Sequence, residues 1–143
     1  MSGTTESISS LVEDFNALNV RDRLLLLLEF SDNLPDLPAR YADHPDLLER
    51  VEECQSPVYL FVEVENNEKV NLFFSAPPEA PTTRGFAGVL HEALDGHSVA
   101  EVLEVDEDFP NRLGLSEAVS PLRLSGMRAI LRRIKRQIRE KLV

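Results

Sequence analysis

A chain of 143 residues with 43% hydrophobic and 28% charged residues has the make-up of one soluble globular domain with a real core, and is too short for two ordinary ones. Its formal net charge of −10 argues against general nucleic-acid binding, which needs a positive surface to neutralise phosphates. The longest apolar run, Leu24 to Leu28, is bounded by Arg23 and Glu29 and falls far short of the ~20 apolar residues of a membrane span.

Met1 to Glu6 contains neither a basic residue nor a hydrophobic stretch. It reads as a flexible N-terminus over about residues 1–6 and not as a signal peptide, with the cytoplasm as the expected location. From Ser7 to Leu18 the residues Ile8, Leu11, Val12, Phe15 and Leu18 follow helical spacing. Asn19 is placed to cap a second helix over Val20–Asn33, with Asp22 in its first turn. Leu24 through Leu28 and Phe30 make that helix apolar almost all round, which predicts deep burial. Pro35 and Pro38 stop it, and Pro35 to Glu49 reads as loop with one helical turn around Asp46–Arg50.

After Pro57 the pattern changes period. Val58, Leu60, Val62 and Val64 alternate with Tyr59, Phe61, Glu63 and Glu65, and Val70, Leu72 and Phe74 alternate again beyond Asn66-Asn67-Glu68-Lys69. An antiparallel hairpin is expected, with too poor a pattern upstream to establish a third strand. Ala76 to Pro81 is excluded from strand and helix interiors by its prolines. Thr82 or Thr83 is expected to cap a helix carrying Arg84, Phe86, Val89, Leu90 and Leu94, ended by Gly96. Ser98 caps a short helix through Leu103, and Phe109, Leu113 and Leu115 form a connector. The last helix, over about Arg123–Leu142, buries Met127, Ile130, Leu131, Ile134 and Ile138 and turns its Arg and Lys residues to solvent. The order predicts an α+β fold, a small antiparallel sheet with helices packed on one side.

From Pro121 onward eight Lys or Arg face one Glu, so the acidic charge lies in the first 120 residues. Cations late in a helix complement its dipole, and a solvated face is the simpler reading; an asymmetry of this size also steers association with a protein partner.

Few residues offer chemistry. His44, His91 and His97 lie in no metal-ligand spacing, and no HExxH or glycine-rich phosphate loop is present. The carboxylates are scattered, without a pair that would suggest general acid/base work. Cys54 is the single cysteine, so it forms no internal disulfide and builds no Cys-rich metal site alone. What a lone thiol does is pack, act as a nucleophile or carry sulfur. Glu52 and Glu53 raise its pKa unless a cation such as Arg50, Arg84 or Arg123 folds close.

The run Cys54-Gln55-Ser56-Pro57-Val58-Tyr59-Leu60 resembles the Gly-Cys-Gln-Ser-x-Val-Trp-Leu signature of SufE/CsdE-type sulfur acceptors, with Glu53 in the place of the glycine. Glu79-Ala80 followed by Arg84-Gly85-Phe86, then Leu113-Gly114-Leu115, then Ser120-Pro121-Leu122-Arg123 with Gly126-Met127 resemble further blocks of that family in the same order. The resemblance runs from about Ile8 to the C-terminus, and so implies a single SufE-like domain over residues 1–143 with a SufE/IscU-like sandwich. It implies that Cys54 carries a persulfide taken from a pyridoxal-phosphate cysteine desulfurase of the SufS/CsdA type. It further implies that Gln55, Ser56, Glu79, Arg84 and Arg123 support the cysteine loop or the partner, and that sulfur passes to iron–sulfur cluster assembly, with a SufBCD-type scaffold as a recipient. On this reading the chain is an accessory protein and not an enzyme, holds no cofactor or metal, and is a monomer or homodimer. Carrier logic adds that the sulfur is shielded by apolar neighbours, in a loop between the N-terminal helices and the Val58 strand. Two alternatives stand beside it: a binding module that regulates a desulfurase or other enzyme by contact, with Cys54 only packed, and a thiol peroxidase or reductase, which lacks a resolving cysteine.

Overall fold

The computed structural model describes residues 3–54 and 56–143. The first helix, α1 (Gly3–Asn16), begins earlier than the periodicity predicted, so Gly3 to Glu6 are helical; Met1 and Ser2 lie outside the described residues. It buries Ile8, Leu11 and Phe15, the stripe read from the sequence. The second helix, α2 (Val20–Asp32), has the expected cap: the Asn19 side chain accepts a hydrogen bond from the Asp22 amide at 2.9 Å.

Deep burial of α2 is not found. Within it Leu27 and Ser31 are buried, Leu25 is 51% exposed, and Leu24, Leu26 and Phe30 are only partly covered. The reason is its position: among the described residues α2 packs chiefly on one neighbour, α4 (Pro81–Leu94), and meets α1 and the 3-10 turn at Leu115–Glu117 only lightly. Apolar character all round a helix reported composition and not its place in the layers.

The predicted loop from Pro35 to Glu49 contains three small elements in place of the single turn expected around Asp46–Arg50. These are a helical turn, α3 (Ala39–Ala42), a 3-10 turn at Pro45–Leu47, and a two-residue strand, β1 (Glu49–Arg50). Among the described residues three strands make one antiparallel sheet in the order β1-β2-β3, where β2 is Tyr59–Glu65 and β3 is Lys69–Ser75. Glu49 pairs with Leu60, and Leu60 with Phe74. Asn66 and Asn67 both take positive φ, 54° and 58°, in the β2–β3 turn, a conformation asparagine tolerates better than most residues.

One face of the sheet, with Leu60, Val62, Val70, Leu72 and Phe74, is buried under the helices. The other face is not left bare as expected. Tyr41 of α3 lies over Phe61 and Phe73, with ring centroids at 4.6 and 4.9 Å, and its hydroxyl donates to Glu63.

Pro81 opens α4, with Ala80 in the capping position; neither Thr82 nor Thr83 serves as the cap, and Thr83 is buried inside the first turn. Proline is suited to a first turn, where its missing N–H would be unpaired anyway. Two small helices follow, α5 (Val99–Leu103), closed by a Ser98–Glu101 capping box, and α6 (Phe109–Arg112). The last, α7 (Pro121–Lys141), is capped by Ser120 and buries Met127, Ile130, Leu131, Ile134 and Ile138 as predicted.

The polar face of α7 departs from the solvated surface expected. Because β1 is only two residues long, it leaves Val62 of β2 without a strand partner on that side. Gln137 supplies the acceptor, taking the Val62 amide at 2.9 Å, and Lys141 donates to the Val62 carbonyl. Side chains of a helix thus complete the edge of a sheet, which is why Gln137 is buried. Lys135 is buried too, its ammonium donating to the Val105 carbonyl. Burial lowers its pKa, against the pull of Glu107. No helix among the described residues is long and apolar enough to cross a membrane.

Candidate functional site

The segment between β1 and β2 turns back on itself. Its base is closed by a bond from the Val51 amide to the Val58 carbonyl at 2.8 Å, and the Cys54 amide reaches the Val51 carbonyl at 3.3 Å. Pro57 and the start of the alternating strand end the turn, so Cys54 sits near its tip. The loop therefore joins two strands; the N-terminal helices do not run directly into it. The thiol points inward, donating to the Gly126 carbonyl on α7 at 3.7 Å.

Cys54 is half-buried at a small cavity of about 20 Å³ lined by Ser56, Thr83, Phe86, Leu122, Arg123 and Gly126. That is space for about one water-sized atom. Three pieces of chain meet there: the cysteine loop, the first turn of α4 with Thr83 and Phe86, and the first turns of α7. Gly126 permits the approach. A Cβ at that position would stand 3.2 Å from the Cys54 sulfur, tighter than ordinary van der Waals contact. The lining is mixed and not wholly apolar: Phe86 is buried, Leu122 is 58% exposed, and Arg123 stands exposed at the mouth.

Burial pushes the Cys54 thiol up to about 11; the Glu53 charge adds to the rise, and Arg133 acts against it. The cation whose charge acts on the thiol is thus Arg133, while Arg123 lines the cavity and Arg84 is engaged elsewhere. Glu53 itself accepts from Arg133 through one oxygen, at 2.9 Å from Nε and 2.6 Å from Nη2. Burial would raise its carboxyl, but the Arg133 bonds outweigh that and hold it below the usual range. Arg133 also reaches Glu49 at 2.6 Å and the Arg50 carbonyl at 3.2 Å, while Arg136 and Gln137 grip Glu49 as well. At neutral pH the resting site therefore holds a protonated thiol on a loop tied by charge to α7.

The residues expected beside Cys54 divide into two groups. Ser56 and Arg123 line the cavity. Arg84 does not: its guanidinium donates to the Ser31 carbonyl at 2.9 Å and the Ala76 carbonyl at 2.7 Å, joining the end of α2 to the end of β3. Glu79 is exposed in the turn ahead of α4, and Gln55 lies outside the described residues. Residue spacing did not single out Thr83 or Leu122 as cavity wall, or Arg133 as the cation of the site. Gly126 lay inside a motif block, and that block was the one available signal.

The histidines take no part in the site. His91 and His97 lie 3.7 and 3.9 Å from Asp95 and Glu101, each a partner four positions further along the chain. Among the described residues no three His, Cys, Asp or Glu side chains gather closely enough to hold a metal ion.

The fold and site define a class, a small α+β domain that holds one inward-facing cysteine at the junction of a strand loop and two helices. Comparison with known proteins narrows it. The SufE family, described as the Fe-S metabolism associated domain, matches residues 9–138, and the chain belongs to that family. An uncharacterised SufE-like protein of Mycobacterium tuberculosis is 50% identical over 133 residues, 93% of this chain and 92% of that protein. A cysteine desulfuration protein SufE of Wigglesworthia glossinidia brevipalpis is 21% identical over 91% of this chain and 88% of its own length. The solution structure of a hypothetical protein from Thermus thermophilus superposes with a TM-score of 0.81 at 40% identity, covering 94% of each chain.

Proposed function

We propose that this chain is a sulfur acceptor that takes persulfide sulfur from a cysteine desulfurase onto Cys54, stimulates that enzyme by draining it, and passes the sulfur to iron–sulfur cluster assembly. One observation carries the reading. The chain's sole thiol is held at a cavity with room for about one further atom, in a domain matching the SufE family over residues 9–138. Relatives named as cysteine desulfuration proteins support the same role.

The chemistry is an exchange without net oxidation. The Cys54 thiolate attacks the outer sulfur of the desulfurase persulfide, a new S–S bond forms, and the bond to the desulfurase sulfur breaks. The desulfurase cysteine leaves as thiolate, and the proton released by Cys54 balances it. Pyridoxal phosphate belongs to the partner, of the SufS/CsdA type; this chain serves as an accessory and not as a turnover enzyme.

The thiol is quiet at rest because it is buried beside Glu53, which suits a carrier that must not react with stray thiols. Arg123 stands at the mouth, where a cation steadies an anionic persulfide or meets a partner carboxylate, and Ser56 lines the same opening. Arg84 supports the site at one remove by fixing the turn of α4 that carries Thr83 and Phe86. Gln55 and Glu79 are assigned to loop and partner support by the family pattern alone. A SufBCD-type scaffold is the proposed recipient, and the cytoplasm the proposed setting.

The test is intact mass after incubation with a desulfurase and cysteine. One sulfur, about 32 Da, should add to Cys54 and be removed by a thiol reductant. Cys54→Ser should bind the desulfurase and accept nothing. The rival is a contact module whose cysteine only packs, and the burial of the thiol is what favours it. Equal stimulation of the desulfurase by Cys54→Ser and the unmodified chain would establish that rival.

A further inference from the structure

The cavity beside Cys54 admits about one atom, yet a partner's persulfide must bring two sulfurs and a cysteine side chain into line with the attacking thiolate. The loop must therefore leave α7 for the transfer to occur. Two polar ties are described between the turn around Cys54 and α7. One is the long thiol contact to the Gly126 carbonyl at 3.7 Å, a weak bond. The other is the paired grip of Arg133 on Glu53, the residue immediately before the cysteine. Arg133 is itself seated, with its remaining donor on Glu49 and the Arg50 carbonyl, and its side chain is 22% exposed. A guanidinium fixed on one side is a rigid clamp on the other.

We propose, resting on the sulfur-acceptor reading, that Arg133 is a positioning residue for sulfur transfer: by gripping Glu53 from a seat on β1, it holds the cysteine loop closed on α7 until a partner docks. Glu49 has Arg136 and Gln137 as further partners, so β1 stays on α7 when the grip on Glu53 is released. Only the turn that carries the thiol is set free. The Glu53 side chain is 44% exposed, so the tie is screened and shallow enough for docking to overcome.

The experiment is the rate of Cys54 modification by a bulky thiol reagent in the full chain at about pH 8, without any partner. Glu53→Gln and Arg133→Gln should each speed modification by about fivefold, because either change breaks the grip. Arg133→Lys, which keeps the charge but loses the fork, should fall between. Arg136→Gln, which touches Glu49 and not Glu53, should react at the unmodified rate.

If the pair acted only by its field on the thiol, the two variants would move in opposite directions. Loss of the Glu53 charge would then speed labelling and loss of the Arg133 charge would slow it. Opposite signs, no change in either variant, or an equal acceleration in Arg136→Gln would each overturn the proposal. Failure of the acceptor reading shows elsewhere, as an absent mass shift with a desulfurase, and leaves the labelling rates to be judged by themselves.

Discussion

Two contacts in this molecule are made by opposite means. Where α2 meets α4, the helices approach until Gly85 and Gly88 touch backbone. A Cβ on Gly85 would stand 2.6 Å from the Leu27 carbonyl oxygen, and one on Gly88 would overlap the Phe30 carbonyl. Where the turn around Cys54 meets α7, the polar contact is one ion pair and one long thiol hydrogen bond beside a small empty space. The first has no slack and no alternative arrangement, as expected of a packed interior. The second is held by bonds that water and a partner's charges can replace. Under the proposed transfer, the slack lies where the thiol would move, and the close-packed contact lies away from it.

The largest effect should come from putting a methyl into the first contact. Gly88→Ala forces the Phe30 backbone away and should cost about 3 kcal/mol of stability, against a gain in helix propensity that is much smaller. Chemical denaturation measures it. An unchanged midpoint would mean that the α2–α4 contact has the slack denied to it here.

Next comes the edge of the sheet, where α7 is irreplaceable for a different reason. Gln137→Leu leaves the Val62 amide without its acceptor and removes a partner of Glu49, for a loss of about 2 kcal/mol. Modification of Cys54 in the native state should barely change, because the grip of Arg133 on Glu53 remains. A large rise in labelling would show that the loop and the sheet edge do not open separately.

A smaller effect follows from the thiol's own titration. Its folded pKa is raised to about 11 from an ordinary value near 9.0, chiefly by burial. The folded state therefore holds the proton more tightly than the unfolded chain. The contribution to stability is full below about pH 9 and is lost as pH climbs through about 11. Partial exposure of the group reduces it to about 1–2 kcal/mol. It is read as the difference between the unmodified chain and Cys54→Ala across that range, in which the titration of other groups cancels. A constant difference would mean that the thiol titrates as though it were exposed.

How much of this was legible depended on range. The hairpin, the Asn19 cap, the Ser98 cap and the buried stripe of α7 are local patterns, and they stand in the structure where spacing put them. β1 has two residues, too few to alternate, and exists because Leu60 and Tyr59 offer it an edge. α3 is one turn after a proline, held by Tyr41 stacking on strands 20 or more residues away. In the site, the motif pointed to Cys54, Ser56 and Arg123. Arg133 had no such mark: it is one of eight cations near the C-terminus, and it acquires meaning only from a carboxylate 80 positions earlier. Glu53 read as an odd charge beside a thiol until its partner was seen. Long-range pairing is what residue patterns leave out.

The smallest change in stability should accompany the most local probe of the cavity. Gly126→Ala places a methyl 3.2 Å from the Cys54 sulfur, in the space the outer atom of a persulfide would use. In a helix interior Ala is favoured over Gly by about 0.5–1 kcal/mol, which offsets the crowding, so stability should stay within about 1 kcal/mol of the unmodified chain. The effect should appear in the lifetime of the loaded sulfur. With the cavity filled, the outer sulfur is turned toward solvent, and a thiol reductant should strip it several-fold faster than from the unmodified protein. The decay of the added mass after removal of the desulfurase measures this directly. Equal lifetimes would mean that the persulfide is sheltered somewhere else, and that the space beside Cys54 is only the gap left by a glycine.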